Sequence, residues 1–271
     1  TGLFIGAVVA QVLTYFWYAR KIPETSWAGT FRFTEAEKKY AKRYIDFPKF
    51  SVASELFNFT SSQLPVFMVK PFFGATILGL YSFPHRYVST PVQLLSTSIS
   101  RVYIQKAQSL KYNITELGEL TFSLFKKQFL TGIVPFAILA LWGRPIFHFI
   151  FGAEWEYSGF LAQLISPWLF AVMLISPLSS IMIVMEKQKI SMYYNITLLI
   201  FRIASLLVGG LVFKDIAWAI GLYSLTGFIF FVALGIYSLK LAGVNLVNTA
   251  IFVLKFTILV LLPLILIKLW I

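Results

Sequence analysis

The dominant pattern is a series of long apolar runs joined by shorter polar segments. A helix of about 20 apolar residues crosses the hydrocarbon core of a bilayer, and only helices and closed barrels satisfy their backbone there. Polar and apolar residues do not alternate with a period of two, which disfavours a barrel. The pattern therefore predicts an all-α polytopic membrane protein with about eight spans: Thr1–Tyr18, Phe47–Val69, Phe72–Ser98, Gln128–Ile150, Tyr157–Met185, Ile190–Phe213, Ile216–Leu239 and Leu246–Trp270.

Composition strengthens this prediction. Hydrophobic residues make up 58% of the 271 residues and charged residues only 13%, about half the charged fraction of a soluble domain. The net charge of +12 would suggest nucleic acid as a partner of a soluble protein. In a membrane protein it follows from basic loops on one side, so no nucleic-acid partner is expected. Cysteine is absent, which excludes disulfides and thiol chemistry.

The basic residues predict the orientation of the spans. Connections after the first, third, fifth and seventh spans carry 15 Lys and Arg, whereas the opposite side carries only Lys70, Lys214 and Lys268. The positive-inside rule places the richer set in the cytoplasm. The first span would then run inward, and because the chain starts at Thr1 within an apolar run, we expect a C-terminal portion of a longer protein.

Three spans carry candidate polar or charged residues that lipid would not tolerate. Spans two and three are separated only by Lys70-Pro71 and contain Glu55, Asn58, Ser62, Gln63 and Arg86; Arg202 lies in span six. A cation facing lipid costs a few kcal/mol, so these arginines should face a cavity or a partner. Arg86 and Arg202 are candidates for binding an anionic substrate, and Asn58, Ser62 and Gln63 for lining its path.

Each candidate also has a structural interpretation. Arg86 would pair with Glu55 on the neighbouring helix, and the polar residues would form helix–helix hydrogen bonds. Glu55 itself is a candidate either for coupling transport to protons or for such an ion pair. His85 and His148 lie in different spans without a metal-like spacing, and Gly209-Gly210 lacks the features of a nucleotide loop. We therefore expect no metal site and no cofactor.

An ordered set of short motifs resembles the polysaccharide/O-antigen flippase family. The set comprises Phe47-Pro48-Lys49-Phe50-Ser51, Asn58, Ser62-Gln63-Leu64-Pro65, Phe73-Gly74, Gly79-Leu80-Tyr81, Arg86, Pro91, Ser98-Ile99-Ser100-Arg101-Val102, Ile150-Phe151-Gly152-Ala153-Glu154-Trp155, Gly159, Pro177-Leu178-Ser179 and Lys187-Gln188. The family is similar in fold to multidrug and toxin extrusion transporters, which have two six-helix lobes around a central cavity. The resemblance implies that residues 1–19 end a missing N-terminal lobe, 20–46 form a cytoplasmic connection, 47–240 form the C-terminal lobe and 246–271 add a helix.

The resemblance also implies a function. It is the movement of an undecaprenyl-pyrophosphate-linked oligosaccharide across the inner (plasma) membrane by alternating access, for synthesis of surface polysaccharide such as the O-antigen of lipopolysaccharide. The expected partners are this substrate, membrane lipids, a polysaccharide polymerase and glycosyltransferases. Two alternatives stay open: a transporter of the same fold for lipid II or cationic drugs, and a membrane glycosyltransferase or polymerase. The second would need a larger polar loop than the one holding Glu154 and Glu156.

Overall fold

The computed structural model describes residues 2–21, 34–35, 38–39, 42 and 45–270. The chain divides into two compact units, 1–45 and 46–271, and each is described by itself. Most of the predicted cytoplasmic connection, 20–46, lies outside the described residues. Within it, the Lys38 backbone N–H donates to the Thr34 carbonyl over 3.0 Å, as in the first turn of a helix.

The first unit contains helix α1, Gly2–Lys21. Its stretch Val8–Tyr18 is apolar but shorter than the other candidate spans. The helix ends in the aromatic run Tyr15, Phe16, Trp17 and Tyr18, whose side chains are all exposed. Aromatic rings of this kind are enriched where a membrane helix meets the headgroup region.

Helix α2, Asp46–Ser109, is bent back on itself at Gly74. A straight helix of 64 residues would be about 96 Å long, three times the hydrocarbon core. Gly74 has φ 85° and ψ 172°, a backbone conformation essentially restricted to glycine. The reversal gives two antiparallel halves, α2a (46–73) and α2b (75–109). Leu64 and Val69 consequently share one buried apolar cluster with Tyr81.

The position of this bend corrects the predicted boundary at Lys70-Pro71. Both residues are helical, and the chain turns only at Gly74. Pro71 lacks a backbone N–H and is compatible with a helix that bends, but its fixed φ cannot supply the positive φ that the reversal requires. Glycine can adopt that φ without steric cost.

Helix α3, Ile114–Phe151, has 38 residues and would be about 57 Å long if straight. Residues 99–127 were predicted to be a polar connection, whereas most of them are helical: α2b continues to Ser109 and α3 begins five residues later. Asn113 caps α3 by accepting a hydrogen bond from the Glu116 backbone N–H. Polar residues are compatible with helix, so they mark where the two helices leave the membrane rather than where they end.

The remaining elements complete the second unit. Trp142 interrupts the helical geometry within α3, and a 3₁₀ turn, Ala153–Trp155, follows it. The predicted fifth span is divided by a turn at Ser180 into two helices. The elements after the 3₁₀ turn are α4 Glu156–Ser179, α5 Ile181–Val184, α6 Gln188–Leu207, a π-helical segment Val208–Phe213, α7 Ile216–Leu241 and α8 Leu246–Trp270.

Helix α4 forms the centre of the second unit. Its Leu161, Ile165 and Leu178 are fully buried, between α3 on one side and α7 on another. Close approach to α3 depends on glycine, because a Cβ at Gly159 would lie 2.3 Å from the Gly143 carbonyl oxygen. Helix α8 packs mainly on α3, where Phe252 contacts Phe125 and Phe129, and is otherwise largely exposed.

The predicted fold class is confirmed. The described residues contain no strand, and six helices are long and apolar enough to span a membrane. One of the six is the bent helix α2, which supplies the two predicted spans of the hairpin. Together with the shorter apolar helix in α1, this arrangement accounts for all eight predicted spans.

Candidate functional site

The two halves of α2 carry polar residues at helical spacing on exposed or half-buried positions. On α2a these are Ser51, Glu55, Asn58 and Ser62; on α2b they are Ser82, Arg86, Thr90, Gln93, Thr97 and Ser100. Intervals of three and four residues place each set on one face of its helix. Both faces belong to a membrane hairpin, so their polarity requires an aqueous or protein environment.

At the end of the hairpin opposite Gly74, the two polar faces meet in a cavity of about 490 Å³. We call it the serine cavity. Residues of α2 that line it are Ser51, Ser54, Glu55, Asn58, Thr97 and Ser100, and the other polar lining residues are Ser176, Ser179, Ser180, Gln188, Ser191, Tyr194 and Asn195. The salt bridge between Lys111 and Glu186, 2.9 Å long, joins the two turns nearby. The charge asymmetry of the loops predicts that this is the cytoplasmic end.

A hydrogen-bonded chain forms one wall of the serine cavity. Asn195 Nδ2 donates to Ser54 Oγ over 2.8 Å, and the hydroxyls of Ser54 and Ser191 are 2.9 Å apart. Sequence reasoning missed these residues because they lie 137–141 positions apart. Nothing in the sequence distinguished Ser54 from the other serine and threonine residues of span two.

The predicted lining residues of α2a divide into two groups. Glu55 and Asn58 line the serine cavity, and Glu55 is the only carboxylate among the lining residues. Ser62 and Gln63 do not belong to this lining; Ser62 instead donates to the Phe59 carbonyl over 2.7 Å. The proposed coupling role of Glu55 stays a prediction.

Arg86 lines a second cavity near the other end of α2b, with a volume of about 760 Å³. We call it the Arg86 cavity; its lining residues are Gly79, Ser82, Phe83, Arg86, Tyr87, Thr90, Pro91 and Trp155. The alternative that Arg86 pairs with Glu55 is wrong for this structure, because no ion pair joins them. The two residues line separate cavities, since the antiparallel hairpin brings Glu55 next to Thr97, eleven positions beyond Arg86.

The sequence predicted that Arg202 faces either a cavity or a partner, and the structure places it against partners inside the helix packing. Its side chain is only 2% exposed and lines neither of the two cavities. Nη1 donates to Ser61 Oγ over 3.1 Å. The guanidinium carbon lies 4.5 Å from the centre of the Trp168 ring and 4.4 Å from that of Tyr223. The arginine therefore joins α6 to α2a, α4 and α7.

Further contacts surround Arg202. We call the group formed by Arg202, Ser61, Tyr81, His85, Trp168 and Tyr223 the arginine cluster. Tyr223 donates its hydroxyl to the Ser61 carbonyl over 3.0 Å, and His85 stacks between Tyr81 and Trp168. A Cβ at Gly227 would lie 2.5 Å from Arg202 Nη2, so glycine is what lets the guanidinium approach α7. Within the described part of the chain, Nε and Nη2 of Arg202 have no hydrogen-bond partner. Cation–π contacts with the aromatic rings therefore offset much of the cost of burying this charge.

No metal-like group emerges from the described residues: no three His, Cys, Asp or Glu lie together. His148 Nδ1, in the last turn of α3, lies 3.4 Å from Oε2 of Glu156, the first residue of α4, so the pair bridges the turn between these helices. Both side chains are about half exposed. The pair can stabilise this turn when the histidine is protonated.

Comparison with known proteins identifies the family. The model of the polysaccharide biosynthesis protein family matches residues 5–159, more than half of the 271-residue chain. The match includes α1, the α2 hairpin and α3, and ends within the region where the sequence motifs carry the resemblance. No curated protein and no solved structure matches the chain significantly. This multi-pass membrane protein, with a role in polysaccharide biosynthesis, belongs to the polysaccharide biosynthesis protein family.

Proposed function

We propose that this chain is part of a flippase that moves an undecaprenyl-pyrophosphate-linked oligosaccharide from the inner to the outer leaflet of the plasma membrane. Family membership supports the polysaccharide substrate. The observation that carries the proposal is the polar face of the α2 hairpin. It presents Arg86, Thr90, Asn58 and Thr97 on exposed positions of membrane helices, where lipid contact would be costly.

The chemistry of the substrate agrees with this face. A lipid-linked oligosaccharide has an anionic pyrophosphate, a glycan rich in hydroxyls and a long apolar tail. Arg86 is exposed and has no ion-pair partner among the described residues, so its charge is available to an anionic group. Hydroxyl and amide side chains along the same face can exchange hydrogen bonds with a moving glycan.

The same features weigh against cationic drugs as substrates. The serine cavity contains one carboxylate, Glu55, whereas the Arg86 cavity contains a cation and no acid. Lipid II shares the undecaprenyl pyrophosphate and stays the alternative substrate. In the proposed cycle the α2 hairpin lines the path of the substrate, and the path opens alternately to each side of the membrane.

The test is translocation by the full-length protein in proteoliposomes. Lipid-linked oligosaccharide is placed in one leaflet, and its arrival in the other is measured with a glycosidase added outside. We expect Arg86→Ala to slow translocation roughly tenfold or more, as for loss of a charge-assisted hydrogen bond, with unchanged amounts of folded protein. Arg86→Lys should retain part of the rate because the charge is kept.

Lys255→Ala is the matched control, since Lys255 is a cation in another membrane helix, α8, and lines neither cavity. It should translocate at the wild-type rate. No translocation by the wild-type protein would refute the flippase proposal. A normal rate in Arg86→Ala would refute the role of the cation on the α2 face.

A further inference from the structure

One wall of the Arg86 cavity is aromatic. Phe83 lies at its centre, with ring centroids 4.0 Å from Trp155 and 4.7 Å from Tyr87, and contacts Phe151 behind it at 4.9 Å. Trp155 comes from the 3₁₀ turn after α3, so two elements of the chain build the wall. Tyr87 packs against Phe83 but is still 61% exposed. Its ring is therefore accessible to a ligand.

The same cavity also has charged and polar lining residues. Arg86 is exposed, and Ser82 and Thr90 are one turn away on either side. The Thr90 hydroxyl donates to the Arg86 carbonyl over 2.7 Å and keeps its lone pairs for a donor from a ligand. A cation and two hydroxyls therefore border the aromatic wall within one turn of helix on each side.

This combination restricts the ligand. A lipid tail alone would leave Arg86 in hydrocarbon at a cost, and a pyrophosphate alone would gain nothing from an aromatic wall. A sugar ring has both required surfaces, since its C–H face packs on aromatic rings and its hydroxyls bond to charged and hydroxyl side chains. The cavity of about 760 Å³ is within the usual range for small-molecule sites.

We propose that the Arg86 cavity binds a sugar ring of the oligosaccharide, with Tyr87 and Trp155 stacking on the ring and Arg86 binding its polar edge. This inference rests on the proposed flippase function and assigns the glycan part of the substrate to one cavity. An acidic sugar would gain most, because a carboxylate can pair with the guanidinium in two parallel hydrogen bonds.

The test compares two lipids on the full-length protein in nanodiscs. The probes are bare undecaprenyl pyrophosphate and the undecaprenyl-pyrophosphate-linked oligosaccharide purified from the source cells. The wild-type protein should bind the glycosylated lipid more tightly. Tyr87→Ala should weaken binding of the glycosylated lipid roughly three- to tenfold, the range for one aromatic contact, and leave binding of the bare lipid unchanged. Tyr87→Phe keeps the ring and should bind as wild type does.

Phe149→Ala is the matched control, because Phe149 is an aromatic residue near the same end of the bundle, 89% exposed, outside the cavity lining. It should bind both lipids normally. Equal weakening of both lipids in Tyr87→Ala would overturn the sugar subsite and indicate contact with the lipid tail, with the flippase function intact. Failure of the wild-type protein to bind or translocate the glycosylated lipid would refute both proposals.

Discussion

At the scale of residues, the two candidate arginines, Arg86 and Arg202, have different environments. Arg86 is exposed on a cavity, whereas Arg202 is enclosed by Trp168, Tyr223 and Ser61. The sequence predicted that both would face a cavity or a partner, and it could not distinguish the two cases. The difference comes from partners on other helices, such as Ser61, 141 residues away. In the proposed function Arg86 binds the substrate, whereas Arg202 joins four helices.

The arginine cluster predicts that Gly227→Ala destabilises the protein. The added Cβ would lie 2.5 Å from Arg202 Nη2 and 2.7 Å from Trp168 Cδ1, and overpacking of this kind costs about 1–3 kcal/mol. Gly221→Ala is the control on the same helix, with no atom within 4 Å of its Cβ. Thermal unfolding of the full-length protein in detergent should show a lower Tm only for Gly227→Ala; equal Tm values would contradict the tight cluster.

At the scale of elements, hydropathy identified the spans but not their ends. Each apolar run could be recognised in the sequence because lipid requires a continuous apolar segment. The bend was assigned to Lys70-Pro71, whereas the reversal needs the positive φ of Gly74. Similarly, the polar segment 99–127 was interpreted as a connection although it is mostly helical. The polarity of a segment indicates whether it lies in lipid or in water. It indicates only indirectly whether the backbone is helical.

The hairpin predicts that Gly74→Ala is costly. No atom lies within 4 Å of a Cβ at this position, so the penalty arises from the backbone alone, about 1–3 kcal/mol for a side chain in this region of φ/ψ space. Gly79→Ala is the matched control, because Gly79 is helical with equally open space. Unfolding of the full-length variants should show a loss of stability only for Gly74→Ala. An unchanged Tm there would mean that the bend does not depend on glycine.

At the scale of the whole molecule, the second unit is a helical body with a polar hairpin on its surface. The sequence predicted this polarity through Glu55, Asn58 and Arg86, and it predicted the family through ordered motifs. It could not show that Glu55 and Arg86 line separate cavities. That separation follows from the antiparallel pairing of α2a and α2b. In the proposed cycle, the serine cavity and the Arg86 cavity are two positions along one hydrated path.

The most direct test of the central claim is water accessibility along this face. Asn58→Cys, Arg86→Cys and Thr97→Cys would be made in full-length protein free of other cysteines and treated with a membrane-impermeant thiol reagent from each side. The account predicts labelling at all three, and none for Leu225→Cys, an exposed apolar position on α7, or for Arg202→Cys in the enclosed cluster. Absence of labelling at positions 58 and 86 from both sides would contradict a hydrated path along the α2 hairpin.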